Sequence, residues 1–380
     1  MAGLIAHEWI EQVGGAERVL DEFIKAYPEA DMFCLWNDAP HRYQQTTVLE
    51  SVLARSPLRG KKALALPMMP SVWNNVPGDY DWMLISSHLF AHHARVGGVP
   101  AERTYVYVHT PARYLWSPDL DARGQSLAVR AVAPIFRAVD KRRAQSHVNV
   151  SANSRFVRQR IQEAWGIDAT VIHPPVQVAQ LQSVDDWADK LNPREREWLE
   201  RLPENFILGA SRFVRYKRLD YAIDAARVAG LPVVIAGSGP DEASLRAHAE
   251  RTNVESYFAI RPSNELLAAL LQRATVYVFP SVEDFGIMPV EAMALGTPVV
   301  VNSVGGASES VVDGVTGVTL ESFDGPSLRA AIEKASAIDA EAAMERAREF
   351  DAPHFQDSIR SWMEPTPGGS SYPTMIGIPS

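Results

Sequence analysis

Two glutamates eight positions apart, Glu283 and Glu291, stand in the segment Val278-Phe279-Pro280-Ser281-Val282-Glu283-Asp284-Phe285-Gly286-Ile287-Met288-Pro289-Val290-Glu291. Such a spacing arises easily by chance, so the context has to carry the reading. The apolar run before it reads as a strand, which puts Glu283 in a strand-end loop. Gly286 lets the backbone approach a ligand closely. Pro289 suits the first turn of a helix and places Glu291 near its N-terminus. Free N–H groups there can hold an anion. A carboxylate beside that anion would repel phosphate, so both glutamates are assigned to hydroxyl groups. Hydroxyl acceptors beside a phosphate cradle describe a sugar nucleotide. The plainer reading of Glu291 is that it complements the helix dipole.

Cations for the phosphates stand in Ser211-Arg212-Phe213-Val214-Arg215-Tyr216-Lys217-Arg218. A departing nucleoside diphosphate gathers negative charge that something cationic must stabilise. Arg212 can grip phosphate oxygens in a fork, and Lys217 acts as a point charge. A solvated basic helix start is the plain alternative, but cations there oppose the dipole. Gly14-Gly15 precede a helix and offer N–H groups to a phosphate, or form an ordinary turn. His109 closes the strand Tyr105–His109, as a site residue or a structural one. Two Asp-x-Asp triplets, Asp79-Tyr80-Asp81 and Asp119-Leu120-Asp121, do not follow strands, as a metal-bridging pair should. Arg212 and Lys217 already bring the charge, so no metal is expected. Gly237-Ser238-Gly239-Pro240 lacks the third glycine and acidic ribose residue of a dinucleotide fingerprint.

These residues need strands to carry them, and the sequence supplies β-branched runs alternating with helical stretches. Strands are expected at Leu4–Ala6, Trp82–Ser86, Tyr105–His109, Val148–Ala152, Phe206–Ala210, Val233–Ala236, Ser256–Ala259, Val276–Phe279 and Pro298–Asn302. Helices are expected at Ala16–Ala26, Leu127–Arg143, Arg218–Ala229 and Pro289–Leu295. Strands apolar throughout and separated by helices imply parallel sheets covered on both faces. The chain has 380 residues, more than the ~250–300 that one core supports. Two doubly wound α/β domains follow, with a polar boundary between Val176 and Pro203. An apolar fraction of 46% and a charged fraction of 22% fit a soluble globular protein. The one cysteine, Cys34, forms no internal disulfide, and a net charge of −9 argues against general nucleic-acid binding. No apolar stretch reaches the ~18 residues of a membrane span, and the first residues do not read as a signal peptide. A cytoplasmic location is expected. Arg55, Arg59, Lys61 and Lys62 precede the apolar Ala63–Met69, and Arg137, Lys141, Arg142 and Arg143 cluster late in a helix. The first group suggests peripheral contact with an anionic membrane at its inner face.

Together the segments resemble family-4 glycosyltransferases of GT-B architecture. The Glu283–Glu291 stretch, with Glu-Ala-Met-Ala-Leu-Gly-Thr-Pro-Val-Val at 291–300, is similar to their E-x7-E signature. Residues 211–218 resemble their phosphate-binding segment, and Gln12-Val13-Gly14-Gly15-Ala16-Glu17-Arg18 their N-terminal glycine loop. His109-Thr110-Pro111-Ala112-Arg113-Tyr114 resembles the histidine segment of a mannosyltransferase-like subgroup. The likeness covers most of the chain. It implies two Rossmann-like domains facing across a cleft: 1–190 on the acceptor side, joined by a returning helix at 353–363, and 203–350 binding the nucleotide sugar. Residues 364–380 are expected to be a tail. The implied activity is retaining transfer of a hexose, first mannose from GDP-mannose, to a glycan or lipid-linked hydroxyl. The leaving phosphate would help deprotonate the acceptor, and the nucleotide sugar would serve as co-substrate with no other cofactor. By the same resemblance His109, Arg212, Lys217 and Glu283 are catalytic. Gly14, Gly15, Arg261, Phe285, Gly286, Ile287 and Glu291 hold the donor, and Arg113 meets the acceptor. Ser211 replaces the usual glycine, and His7-Glu8-Trp9 the usual His-Asp-Tyr. Ile260-Arg261-Pro262-Ser263 replaces Gly-Arg-Val, which leaves guanine, uracil and adenine all open. The alternatives are a sugar-nucleotide epimerase or hydrolase of related fold, and a non-enzymatic glycan-binding scaffold.

Overall fold

The computed structural model describes residues 1–12, 14–116 and 127–364, without the side chains of 127–132. The triplet Asp119–Asp121 and the expected tail from Pro365 lie outside the described residues. Strands β1 (Gly3–His7), β2 (Asp31–Cys34), β3 (Val48–Glu50), β4 (Trp82–Ser87), β5 (Thr104–Val108), β6 (Asn149–Ala152) and β7 (Thr170–Val171) form one sheet. Its order is β3-β2-β1-β4-β5-β6-β7, and every pairing is parallel. Strands β8 (Ile207–Arg212), β9 (Val233–Ser238), β10 (Ser256–Ile260), β11 (Val276–Phe279), β12 (Val299–Asn302) and β13 (Gly317–Leu320) form the other. They run β10-β9-β8-β11-β12-β13, again parallel throughout. In each sheet the order reverses once, between β1 and β4 and between β8 and β11. Ligands in such sheets sit outside the carboxyl ends of the strands at this switch point. The architecture is GT-B.

Both faces of each sheet are covered, which explains strands without polar alternation. In β1 and β5 every residue is buried. Leu4, Phe33, Trp36, Trp73 and Ile85 fill one side of the first sheet. Ile5, Phe23, Leu84, Tyr107 and Phe355 fill the other. Phe355 belongs to the last helix, Ala352–Met363, which returns to pack on Gly15–Ala26. Its ring stacks on Phe23 at 5.6 Å.

Element ends differ from the sequence expectations where backbone geometry intervenes. Strand β5 stops at Val108, and the His109 N–H donates to the Ser87 carbonyl at 2.8 Å. The helix expected from Arg218 starts at Asp220, because Arg218 is left-handed with φ 51°. The helix expected from Pro289 starts at Ile287, with Gly286 at φ +90° before it. Asp79 and Asp81 lie in the turn leading into β4, at the amino end of the sheet. Asp81 accepts the Ala2 N–H there at 2.8 Å.

Candidate functional site

The carboxyl ends of β8 and β11 assemble the cationic side of the cleft. Lys217 lies in a short 3-10 turn after β8. Its ammonium meets Glu283 Oε1 at 2.6 Å, and both side chains are largely enclosed. Arg212, at the end of β8, stays exposed with one guanidinium nitrogen 2.8 Å from the Tyr216 hydroxyl. Gly237 and Gly239 support this segment from behind. A Cβ on Gly237 would lie 1.9 Å from the Ser211 carbonyl oxygen, and one on Gly239 2.4 Å from that of Phe213. The Gly237–Pro240 loop is therefore a packing device for the basic segment. Arg261 follows β10 in the left-handed region at φ 51° and is exposed. One strand, β9, separates β10 from β8, about 10 Å at ordinary strand spacing.

Gly286 is needed for more than its φ. A Cβ there would meet Ala307 Cβ at 3.0 Å and the Phe279 ring at 3.3 Å. Gly306 presses against the same loop, where a Cβ would lie 2.0 Å from the Asp284 carbonyl oxygen. Phe285 departs from its expected place at the donor. Its side chain is 3% exposed and packs against His173 and Phe350, at 5.4 and 5.6 Å. Only its backbone can serve a ligand. Ile287 reaches across the cleft, with its Cδ1 3.9 Å from where a Gly15 Cβ would be. Glu291 meets Arg18 of the helix Gly15–Ala26 at 2.5 Å.

On the facing half, His109 is half-buried among polar neighbours. Its Nε2 lies 2.8 Å from Ser86 Oγ, which lies 3.0 Å from His7 Nδ1. Burial, then the positive fields of His88 and His7, push the His109 pKa down to about 3, so the ring is neutral at pH 7. Arg113 does not stand free for an acceptor. It crosses to Asp284, with Nε 3.2 Å from Oδ2, and lies 3.7 Å from Glu283 Oε2. Burial opposes its charge, but Asp284 and Glu283 hold it firmly protonated. Arg160 meets the other Asp284 oxygen at 2.6 Å, and Ser154 donates to the Asp284 carbonyl at 2.5 Å.

Residues 193–350 match the family model described as "Glycosyl transferases group 1". That match spans the part of the chain built on the second sheet. Curated relatives include alpha-D-kanosaminyltransferase of Streptomyces kanamyceticus, 26% identical over 63% of this chain and 62% of that protein. A GDP-mannose-dependent alpha-(1-6)-phosphatidylinositol monomannoside mannosyltransferase of Mycolicibacterium smegmatis is 30% identical over 53% of this chain and 56% of its own length. The chain thus spans about three fifths of these two relatives. Among solved structures, Anabaena Alr3699/HepE in complex with UDP superposes with a TM-score of 0.69 at 20% identity, covering 95% of this chain and 99% of that one. Sucrose-phosphate synthase from Thermosynechococcus elongatus gives 0.70 at 20% identity, covering 95% and 98%.

The cleft between the halves brings Lys217, Glu283 and Arg113 together, and pairs Gly15 with Ile287. Arg212 and Arg261 stand apart along the strand ends. Several residues of the junction were missed from sequence: Arg18, Ser154, Arg160, Asp284 and Glu309. Glu309 accepts the Arg155 and Phe156 N–H groups at 2.8 and 2.9 Å, capping the helix Arg155–Trp165 across the junction. Burial works against its charge, yet His173 and those two amides hold its pKa below the usual range. Arg18 lies in the glycine loop itself and Asp284 follows Glu283. Their partners are 124 to 273 residues away, so no local pattern announces them.

By spacing alone, two groups among the described residues bring three ligating atoms within 4.8 Å: His7, Glu8 and His88, and His92, His93 and Asp140. In both, protein donors already engage the carboxylate. Asp140 Oδ2 accepts the Trp116 and Trp165 indoles at 2.7 and 2.8 Å, and Oδ1 faces His93 Nε2 at 3.1 Å. Glu8 Oε1 accepts the N–H groups of His88, Leu89 and Ala91 at 2.8–3.0 Å. The basic surface near residue 60 is partly neutralised. Arg59 pairs with Asp38 and Glu50, and Lys62 with Glu11. Exposed Val52, Leu64 and Met68 remain beside Arg55 and Lys61. No described helix is long and apolar enough to cross a membrane.

Proposed function

We propose that this chain is a retaining glycosyltransferase that moves a hexose from a nucleotide sugar to an acceptor hydroxyl in the cleft. The observation that carries this reading is the convergence of Lys217 and Glu283 with the Gly286 helix start, opposite Gly14, Gly15 and His109. Arg212 and Lys217 take up the charge that grows on the leaving diphosphate, with no metal required. Glu291 accepts ribose hydroxyls, which requires it to leave Arg18. Glu283 accepts a hydroxyl of the sugar being transferred. Neutral His109 orients a hydroxyl near the anomeric carbon without adding positive charge to an oxocarbenium-like centre. The Gly286 and Ile287 N–H groups, with Gly14 and Gly15 opposite, flank the phosphates. Arg261 lies toward the base. Arg113 acts through Glu283 and Asp284, closing the site instead of binding the acceptor.

Mannose from GDP-mannose is the first donor to test, since one relative's name specifies GDP-mannose and mannosyl transfer. Other relatives are named for kanosamine and D-rhamnose, and one neighbour carries UDP, so the base is to be decided by experiment. The acceptor is a glycan or lipid-linked hydroxyl, approached from the cytoplasmic side. Thermal-shift measurement against GDP, UDP and ADP and their sugars tests the reading. A ligand at 100 times its dissociation constant stabilises by ~2.7 kcal/mol. One nucleotide series should raise the melting temperature, and its sugar should release nucleoside diphosphate on incubation. No shift with any of them would remove the donor site.

A further inference from the structure

Three side chains of the first half grip the loop that carries Glu283 and Asp284. Arg113, opening the short helix Arg113–Trp116, donates from Nε and Nη2 to Asp284 Oδ2, the first at 3.2 Å. Arg160, in the helix Arg155–Trp165, donates from Nη1 to Asp284 Oδ1 at 2.6 Å and to Thr110 Oγ1 at 2.8 Å. Ser154 donates to the Asp284 carbonyl at 2.5 Å. Glu283 offers Arg113 a second carboxylate, with its Oε2 3.7 Å from Nη2. Lys217 keeps that gap open by holding Glu283 Oε1 at 2.6 Å. The Glu283 backbone is fixed, because its carbonyl accepts the Gly306 N–H at 2.8 Å, so movement falls to the side chain. Lys217 and Glu283 are only 12% and 15% exposed. At that enclosure a carboxylate that loses its cation needs another.

We propose that Arg113 is the positioning residue for Glu283: when the donor's diphosphate takes Lys217, Glu283 turns its Oε2 onto Arg113 and fastens the two halves over the donor. This deepens the glycosyl-transfer reading and rests on it. The exchange leaves no enclosed charge unpaired, because Lys217 trades one anion for another and Glu283 trades one cation for another. Oε1, released from Lys217, then faces the sugar hydroxyl assigned to Glu283. Asp284 holds Arg113 in place for this. Burial works against the guanidinium charge, and Asp284 and then Glu283 sustain it. Arg113 belongs to the first half and Glu283 to the second, so the exchange adds a contact across the cleft only when phosphate is present. A ligand shifts such an equilibrium only by its differential affinity for the two states. The group sensed is therefore the diphosphate, and a nucleoside without phosphates leaves Glu283 on Lys217.

Calorimetry of nucleoside diphosphate binding to the full chain tests this as a double-mutant cycle. Arg113→Ala should weaken the nucleoside diphosphate by about 10-fold, because the released Glu283 then lacks its second cation. The matching nucleoside should bind Arg113→Ala as it binds wild type. In a Glu283→Gln background there is no carboxylate to release, so adding Arg113→Ala should cost no further diphosphate affinity. Turnover of the nucleotide sugar with water as acceptor should fall by about 10²-fold in Arg113→Ala, the scale of a misplaced site group. Arg113→Lys, which keeps the charge, should recover most of the affinity. Equal losses of affinity in both backgrounds overturn the proposal, because Arg113 then meets the phosphate itself or merely supports the fold. Wild-type affinity in Arg113→Ala overturns it too and leaves glycosyl transfer standing. A wild-type chain that binds no nucleoside diphosphate removes the glycosyl-transfer reading, and the proposal with it.

Discussion

Lys217 and Glu283 neutralise each other at 2.6 Å, and Arg18 and Glu291 do so at 2.5 Å. The two pairs differ in enclosure, since Arg18 is 46% exposed and Lys217 only 12%. A donor can displace Arg18 into water at little cost, because exposed pairs contribute about 0–1 kcal/mol. Releasing Glu283 from Lys217 demands a replacement anion, which the diphosphate supplies. The two glutamates should therefore fail in different ways. Glu291→Gln weakens nucleotide binding by about 10-fold, the scale of a lost hydrogen bond to a charged group. Glu283→Gln leaves nucleotide affinity near wild type and lowers turnover by about 10²-fold. Calorimetry and initial rates separate the two, and identical effects on both quantities would contradict the division. Lys217→Ala should lower turnover by about 10²-fold as well, and EDTA should leave wild-type turnover unchanged. Loss with EDTA that manganese restores would reject the metal-free reading.

At the scale of elements, the strand ends of the first half carry an unusual load of buried imidazoles. Burial depresses His7 and His93 to about 4, and His109 and His147 to about 3. Between these values and 6.5 the unfolded chain binds more protons than the folded one, so stability falls as pH drops below 6.5. His88 has the opposite sign, because its raised pKa adds stability below 6.5 that is lost as pH rises. Below 6.5 His88 is protonated in both states, so the four depressed rings set the slope, on the order of 5 kcal/mol per pH unit at most. Urea unfolding at pH 7 and 5.5 should show this steep loss, and His147→Gln should flatten it by one proton. Equal stability at both pH values would mean these rings are charged when folded. None of this was legible in the sequence, where a histidine gives no sign of its burial. The apolar strands were legible because burial on both faces leaves few polar positions in them, most of those at their ends. β3 and β7, with three and two residues, were too short to read. The E-x7-E loop was legible because its glycine and proline are local requirements. Its partner Asp284 was overlooked, since its two arginines come from the other half. The cap by Glu309 is invisible for the same reason. Glu309→Ala should cost about 1–2 kcal/mol, as for a lost N-cap, read as a lower urea midpoint.

For the molecule as a whole, the two chain crossings between the halves run side by side. Val176 donates to the Phe350 carbonyl at 2.9 Å and accepts from Ala352 at 3.0 Å, so each crossing braces the other. One carboxylate ties both to the first half. Glu22, fully buried in the helix Gly15–Ala26, accepts Gln177 Nε2 at 2.9 Å and Gln356 Nε2 at 2.6 Å. Phe355 then seats the last helix on Phe23 and Tyr107, and the Tyr105 hydroxyl donates to the Met363 carbonyl at 3.0 Å. Catalysis needs groups from both halves, so this joint must keep them in register while the cleft admits a donor. Glu22→Ala leaves both glutamine amides without their shared acceptor and Lys25 without its partner at 2.6 Å. The expected cost is about 1.5–3 kcal/mol for each lost hydrogen bond to the carboxylate, and turnover should fall with nucleotide affinity little changed. Phe355→Ala should act in the same way, costing about 3–5 kcal/mol. Ending the chain before Phe350 removes one crossing entirely and should abolish turnover. Small-angle scattering on Glu22→Ala should show a larger radius of gyration than wild type, with the difference narrowing when saturating nucleotide draws the halves together. A chain ending at Glu349 that stays folded and keeps full turnover would show that the second crossing is dispensable, and the hinge would then have to lie in the linker near Val176 alone.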